Sequence, residues 1–306
     1  MKVAVVDLGT NTFNLLVAER KDEGGFKVLL HSKIGVMLSK GGMARNQICE
    51  DAYERAIAAF EYHAKTIALH QVDYAKGFAT SAIRDANNGL ILVKDFQTRF
   101  GIPIEIISGD REASLIYKGV NTSLKLGAEC ALIMDIGGGS VEFIICNAHV
   151  VYWKHSFTLG ISRILEMFDV SNPMVQNEEV AITSCFCDGL LQLWEAYNSY
   201  KPTLLIGSSG SFDTFRSLLY GVDETAHSQV SHYDDYQRLH KLLLSSSLEE
   251  RLQMNGMDPL RAEMIVLASI LTNLVLNKTG ITDIIQSDYA LKEGAVVEIL
   301  EKTNEI

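Results

Sequence analysis

Two short glycine-containing turns constrain the fold of this 306-residue chain more than any other feature. The second turn lies in the stretch Asp135–Glu142, where three successive glycines separate two apolar runs. This pattern predicts a strand, a tight turn and a second strand. Glycine has no Cβ and tolerates φ > 0, so several backbone N–H groups can converge on an anion. A single copy of the motif fits a purely structural turn equally well.

The same pattern occurs a second time, in the stretch Asp7–Asn14 near the N-terminus. Two apolar hairpins of one design predict a duplicated domain with two phosphate loops facing one cleft. The aligned pairs are Asp7 with Asp135, Gly9 with Gly137, and Thr12 with Ser140. The predicted phosphate-binding residues of the two loops are Gly9, Thr10, Asn11, Thr12, Gly137, Gly138, Gly139 and Ser140.

The composition describes a packed globular protein without a nucleic-acid surface. Hydrophobic residues make up 47% and charged residues 21% of the chain. The net charge of −11 excludes broad binding to nucleic acid but permits a small polyanion where cations cluster. The five cysteines include no C-x-x-C pair, which indicates a reducing compartment. Because the sequence shows no signal peptide and no bilayer-length apolar run, we expect a cytoplasmic protein without a membrane partner.

The order of apolar segments predicts an α/β protein with two domains. We expect an N-terminal domain over residues 1–124, on which a terminal helix at about 290–306 packs back, and a C-terminal domain over residues 125–289. Helical spacing of apolar residues predicts long helices over 178–197 and 259–276. The polar stretch 222–231 has no period and is predicted to be the least ordered segment.

Four carboxylates occupy positions with both a catalytic and a structural interpretation. Asp7 and Asp135 open the paired turns, where a carboxylate binds a divalent metal or bonds to the turn's own amides; their pairing favours the metal. Glu112 falls in the first turn of a helix that follows a strand. It is a candidate general base, although spacing alone favours an interaction with the helix dipole. Glu142 either orients a water or metal or faces solvent, and strand alternation does not decide between them.

Cations and a further turn add candidate phosphate contacts. Arg84, Arg111 and Arg163 each lie close to a loop at the end of a sheet element, and arginine binds phosphate oxygens in pairs. Each of the three taken alone is more typical of a surface charge. A glycine–serine turn after a later strand opens a helix, which is a common anion site. This third candidate loop consists of Gly207, Ser208 and Ser209.

Six ordered motifs resemble the exopolyphosphatase / guanosine pentaphosphate phosphohydrolase (Ppx/GppA) family in its short two-domain form. The resemblance runs over essentially the whole chain, and the fixed order of six motifs makes it specific. The motifs are Asp7–Thr12, Ala79–Arg84, Ser108–Ala113, Asp135–Glu142, Leu159–Arg163 and Gly207–Gly210.

The resemblance implies an α/β fold of duplicated ribonuclease-H-like domains, of the actin and sugar-kinase superfamily, around a central cleft. It implies a hydrolase that releases terminal orthophosphate from inorganic polyphosphate or from pppGpp, with Mg²⁺ as cofactor. It leaves open whether the protein forms a homodimer. Glu112 would activate the water. Asp135 and Glu142 would complete the catalytic set and, with Asp7, hold the metal.

Two positions depart from the family pattern. Asn14 stands where the family commonly has an arginine, and Lys292 stands in place of a second arginine. The loss of a bidentate phosphate contact is worth on the order of 1.5–3 kcal/mol. The departures keep open a sensor that binds nucleotide or polyphosphate without turnover. A sugar or acetate kinase on the same fold is a third alternative, and the motif Ser108–Ala113 argues against it.

Overall fold

A computed structural model describes residues 1–42, 45–221 and 228–303, and these form two compact units. Unit 1 comprises Met1–Gly119 together with the chain from Tyr289 onward, and unit 2 comprises Val120–Asp288. The units divide inside the helix Gly109–Leu124, rather than after residue 124 as expected from the sequence.

Unit 1 is built around a five-stranded sheet with the order β3-β2-β1-β4-β5. The first three strands are antiparallel, and β4 and β5 run parallel to β1. Phe60 of α1 stacks on Phe96 of α3, with ring centroids 4.4 Å apart, over one face of the sheet. The elements are β1 (Lys2–Leu8), β2 (Thr12–Arg20), β3 (Phe26–Gly35), α1 (Glu50–Leu69), β4 (Tyr74–Ala79), α2 (Ser81–Asp85), α3 (Gly89–Phe100), β5 (Ile104–Ile106) and α4 (Gly109–Leu124).

Unit 2 repeats the same strand order in its own sheet. The order is β10-β11-β9-β6-β7-β8, so β8-β7-β6-β9-β11 matches the five strands of unit 1 and β10 is an antiparallel addition. Its elements are β6 (Ala131–Ile136), β7 (Val141–Cys146), β8 (Val151–Phe157), α5 (Ile161–Met167), α6 (Gln176–Gly189), α7 (Leu191–Tyr200), β9 (Leu204–Ser208), α8 (Ser209–Tyr220), β10 (Ser228–His232), α9 (Tyr233–Ser245), α10 (Leu248–Leu252), α11 (Ile265–Thr279) and β11 (Asp283–Ser287). The repeated topology confirms the predicted duplicated α/β fold.

The last helix, α12 (Leu291–Lys302), belongs to unit 1 and packs against α4 through two glycines. A Cβ on Gly119 would lie 2.0 Å from the Ala290 carbonyl oxygen, and a Cβ on Gly294 would lie 1.9 Å from the Leu115 carbonyl oxygen. Neither position therefore has room for a side chain, and the two backbones approach closely.

Three segments differ from the sequence-based expectation. The helix predicted over 178–197 is two helices, separated at Leu190, whose backbone is not helical, with φ of −104° and ψ of 21°. The adjoining Gly189 has no room for a side chain, since a Cβ would lie 2.7 Å from the Leu159 side chain. The helix predicted from residue 259 begins at Ile265, after turns in which Asp258 accepts a hydrogen bond from the Leu260 N–H. In the segment 222–231, residues 222–227 lie outside the described chain and the strand β10 begins at Ser228. Within the described ranges, no helix combines the length and apolarity needed to cross a bilayer.

Candidate active site

The two glycine turns close with the same hydrogen bond. The Gly137 N–H donates to the Ser140 carbonyl at 3.0 Å, and the Gly9 N–H donates to the Thr12 carbonyl at 3.1 Å. A Cβ on Gly137 would lie 2.7 Å from the carbonyl oxygen it faces, and one on Gly9 would lie 2.9 Å away. Neither glycine has φ > 0. At these two positions a carbonyl oxygen occupies the space that a side chain would need, so glycine is required there for room and not for φ > 0.

The second loop is bonded through its carbonyls to the start of α5. The Ile161 N–H donates to the Gly137 carbonyl at 3.0 Å, and the Ser162 N–H donates to the Gly138 carbonyl at 2.9 Å. A trans peptide directs its N–H opposite to its C=O. The N–H groups of Gly138 and Gly139 are therefore directed away from α5, as an anion-binding loop requires.

The first loop is held in a parallel way by the segment after β3. The Val36 N–H donates to the Asn11 carbonyl and the Leu38 N–H to the Thr10 carbonyl, both at 2.8 Å. By the same geometry, the N–H groups of Asn11 and Thr12 are directed away from that segment. In both loops, the carbonyls accept hydrogen bonds from the neighbouring segment, and the successive N–H groups are directed away from that segment, which we call outward.

Asp135, at the end of β6, is buried and joins two of the predicted phosphate-binding residues. The hydroxyls of Ser208 and Ser209 both donate to its Oδ2 at 2.7 Å. Ser209 begins α8 with φ of 67°, a conformation that non-glycine residues adopt rarely and that occurs at functional turns. The glycine–serine turn and the second glycine loop therefore meet at one carboxylate.

Glu142, the first carboxylate of β7, lies directly opposite Asp135 in the antiparallel ladder. It is almost fully buried, and the Ser156 hydroxyl on β8 donates to its Oε1 at 2.6 Å. The solvent-facing interpretation of Glu142 is therefore wrong. Two carboxylates on one face of neighbouring strands, each fixed by a serine, form a rigid pair of acceptors.

The first loop has the same layout with one charge fewer. Asp7 lies opposite Asn14 across β1 and β2. The Asn14 amide donates to Asp7 Oδ2 at 3.2 Å and to the Thr12 hydroxyl at 3.3 Å. Asn14 thus orients Asp7 and takes the place that Glu142 has in the second copy.

Glu112 lies in the first turn of α4 and is buried. The Arg84 guanidinium of α2 donates to Glu112 Oε2 at 3.1 Å and to the Ile107 carbonyl at 3.0 Å. The two predicted site residues of unit 1 therefore contact each other. Arg84 fixes the carboxylate and supplies a cation beside it.

The other predicted cations lie in different surroundings. Arg111 pairs with Glu298 of α12, and this hydrogen bond lowers the pKa of Glu298 to about 2. Arg163 lies in the first turn of α5, and its N–H donates to the Gly160 carbonyl at 2.9 Å. Lys292 pairs with its neighbour Glu293 at 2.9 Å. The phosphate contacts of Arg111 and Arg163 stay predictions.

Arg261 is a residue of this site that the sequence did not assign. Its guanidinium lies against the glycine–serine turn, since a Cβ on Gly210 would be 1.8 Å from its Nη2. Burial lowers its pKa, while the charges of Asp213, Asp258 and Asp135 oppose that change. Arg261 therefore places a positive charge close to the carboxylate of the second loop. The sequence feature that could have indicated Arg261 is the presence of an arginine at the edge of a strongly apolar helix.

The donor set suits a hard divalent cation. Asp135 and Glu142 offer only oxygen, and the serine hydroxyls fix their orientation as outer-shell partners do. Across the described parts of the chain, no three His, Cys, Asp or Glu side chains gather closely enough to enclose a metal. Mg²⁺ is commonly held by one or two carboxylates, with waters and phosphates completing its shell, so the residues fit that ion.

Comparison with known proteins identifies relatives along nearly the whole chain. A crystal structure of an exopolyphosphatase from Cytophaga hutchinsonii superposes with a TM-score of 0.95 at 36% identity, covering 99% of this chain and 98% of that one. A bifunctional 3-dehydroquinate synthase/phosphatase of Fusobacterium nucleatum is 29% identical over 97% of this chain and 46% of its own length. A guanosine-5'-triphosphate,3'-diphosphate pyrophosphatase of Vibrio vulnificus is 28% identical over 98% of this chain and 59% of its own length.

The chain thus spans about half the length of the curated relatives it matches. The sequence profile of the Ppx/GppA phosphatase family matches residues 16–303, which include five of the six predicted motifs in full. With two copies of one strand order, two matching glycine loops and this profile match, the chain belongs to the Ppx/GppA phosphatase family.

Proposed function

We propose that this protein is a phosphohydrolase that removes terminal orthophosphate from inorganic polyphosphate or from guanosine pentaphosphate. The buried pair Asp135 and Glu142 carries the proposal, because it lies beside a loop whose amides are turned outward. Burying two carboxylates side by side costs stability, and such arrangements cluster at functional sites. The proteins of Cytophaga hutchinsonii and Vibrio vulnificus, named for these activities, support the choice of substrates.

In the proposed reaction, the glycine loops bind phosphate and a carboxylate activates the water. In each unit, the outward amides of the glycine loop are the proposed phosphate contacts, and Arg261 adds a cation at the second loop. Glu112 orients a water for in-line attack on the terminal phosphorus and accepts one of its protons. A P–O bond forms as the bridging P–O bond breaks, and the products are orthophosphate and the shortened chain.

Asp135 and Glu142 would hold Mg²⁺, with waters and phosphate oxygens completing its shell. The metal role of Asp7 stays a prediction from the sequence. The ion would neutralise the charge that develops on the phosphate oxygens. Ser208, Ser209 and Ser156 fix the carboxylates independently of the ion through the hydrogen bonds described above. The metal ligands and the roles of the phosphate-loop residues belong to the proposal.

The test is orthophosphate release from polyphosphate and from pppGpp, with Mg²⁺, by wild type and two matched variants. Glu112→Gln keeps the size of the side chain and is expected to lower kcat by about 10²–10⁴-fold. Glu105→Gln is the control, because Glu105 lies on β5 of the same unit and pairs with Lys76. Wild type that releases no phosphate from either substrate, or a fully active Glu112→Gln protein, overturns the proposal.

A second candidate is a sensor that binds nucleotide or polyphosphate without turnover. It is favoured by the contact between Arg84 and Glu112, because the carboxylate that would orient the water is already held by a partner within the protein. A sensor is stabilised against heat by its ligand and forms no product. Mg²⁺-dependent turnover excludes it.

A further inference from the structure

The first glycine loop has a third residue in its row that the site described so far does not use. Lys33 on β3 lies directly opposite Asn14 on β2, and Asn14 lies directly opposite Asp7 on β1. Residues opposite each other in an antiparallel ladder share a face, with Cβ atoms about 5 Å apart. Asp7, Asn14 and Lys33 therefore form one row across three neighbouring strands.

The corresponding row of unit 2 shows that such side chains meet. It consists of Asp135, Glu142 and Ser156, and the Ser156 hydroxyl donates to Glu142 at 2.6 Å. In unit 1, the amide of the middle residue likewise donates to the carboxylate beside it, at 3.2 Å. The third place of the row is a hydroxyl in one copy and an ammonium in the other.

The backbone after Lys33 fixes this strand against the loop itself. Gly35 pairs with Thr12, and the Val36 and Met37 N–H groups both donate to the Asn11 carbonyl, at 2.8 and 3.1 Å. Lys33 is thus two residues from a segment that is hydrogen-bonded to the turn. Lys33 is exposed, and a lysine side chain has a flexible four-carbon stem that carries its charge several ångströms from the backbone.

We propose that Lys33 is a substrate-binding residue that supplies the positive charge of the first phosphate loop. The row of this loop otherwise offers a carboxylate and a neutral amide, which cannot neutralise a polyanion. Lys33 adds one positive charge to this row, directly beside Asn14. The inference rests on the proposed function, because its ligand is the terminal phosphate group of that substrate.

The test compares Lys33→Met, Lys33→Arg and the control Lys27→Met. Lys27 lies on the same strand, opposite Glu19 at its far end. We measure tripolyphosphate binding by calorimetry at low and high salt, together with KM, kcat and the melting temperature. Lys33→Met is expected to weaken binding and raise KM by about tenfold or more. kcat changes less than KM, the salt dependence becomes shallower, and the melting temperature stays the same.

Lys33→Arg is expected to retain most of the affinity, and Lys27→Met all of it. Wild-type binding and turnover that survive unchanged in Lys33→Met overturn the assignment of Lys33 and leave the proposed function intact. An equal loss of affinity in Lys27→Met also overturns it, since the effect would then be one of general charge. Wild type that binds no tripolyphosphate and releases no phosphate from polyphosphate or pppGpp overturns both proposals.

Discussion

Asp135 and Glu142 face each other across neighbouring strands at the mouth of the second glycine loop, and both are buried. In the first loop the same two places are taken by Asp7 and Asn14. The duplicated hairpins have kept their hydrogen-bonded closure while their charges have diverged. The second copy has two carboxylates, which suits a metal, and the first has one, with a lysine alongside.

The hydroxyl of Ser156 is expected to affect activity through Glu142. Ser156→Ala removes the hydrogen bond at Glu142 Oε1, so the carboxylate loses its fixed orientation. Loss of an outer-shell partner typically costs 10–100-fold in metal affinity or activity. We therefore expect the Mg²⁺ concentration for half-maximal activity to rise about tenfold, measured by Mg²⁺ titration of phosphate release. Ser245→Ala, on the exposed end of α9, is the control, and equal Mg²⁺ curves for both variants would contradict the expectation.

Gly160 is expected to be essential for the shape of the second loop. A Cβ there would lie 2.3 Å from the Gly139 carbonyl carbon and 2.4 Å from that of Gly138. Its φ of −60° is acceptable for alanine, so space alone forbids a side chain. Gly160→Ala should destabilise the protein by about 1–3 kcal/mol and reduce activity, measured by urea unfolding and phosphate release.

The matched control is Gly127→Ala, since nothing lies within 4 Å of the position of its Cβ. It should change stability by less than about 0.5 kcal/mol. If Gly160→Ala behaves like Gly127→Ala, the loop does not depend on this close approach.

The stability of unit 2 should fall as the pH is lowered from 6.5 to 4, because of His240. Burial, with the charge of Lys241, lowers the pKa of His240 to about 4, while the unfolded chain keeps an ordinary value of 6.5. Between these values the unfolded state binds a proton that the folded state does not. The free energy of unfolding should therefore decrease by up to about 1.4 kcal/mol per pH unit.

His240→Leu should flatten this dependence, measured by urea unfolding between pH 7 and pH 4. Ser245→Ala, at the exposed end of the same helix, provides the control, because it removes no titratable group. An unchanged slope in His240→Leu would assign the pH dependence to other groups.

The pair Arg111 and Glu298 should stabilise the attachment of α12 to unit 1. Because the hydrogen bond from Arg111 holds the pKa of Glu298 near 2, the contribution is complete above pH 4.5 and is lost as the pH falls towards 2. At pH 7 we expect Glu298→Gln and Arg111→Met each to cost about 1 kcal/mol, with non-additive effects in the double variant. Thermal unfolding of the two single variants and the double variant measures these changes in stability.

The same variants test the predicted phosphate contact of Arg111. A contact with substrate adds a rise in KM to Arg111→Met that Glu298→Gln does not share. Additive effects on stability in the double variant would show that the pair does not act as a unit.

The parts of the site that follow from local pattern were predictable, and those that depend on packing were not. The paired turns were predictable because each turn needs a glycine where a carbonyl occupies the space of a side chain, and this leaves the same spacing in both copies of the sequence. The contact of Ser208 with Asp135 joins residues 73 positions apart and depends on parallel pairing of β6 with β9. Arg261 appeared only as a charge in an apolar segment, since its position over Gly210 is set by the tertiary fold.

The division of α6 from α7 illustrates the same limit. Apolar spacing continues through the break, whereas the close approach of Leu159 to Gly189 is a tertiary contact. Helical periodicity records which face is buried, and it does not record what lies opposite a single glycine.

Because α12, which packs against α4 through Gly119 and Gly294, follows unit 2 in the sequence, the first unit is completed last during synthesis. Residues from Tyr289 onward supply α12, which covers one face of β1 and β2, so this surface stays uncovered while the whole of unit 2 is being made. Unit 2 is continuous in sequence and can close on itself first. A ribosome-bound chain stalled before α12 emerges should therefore carry a protease-resistant second unit and a first unit that is still open to chaperones.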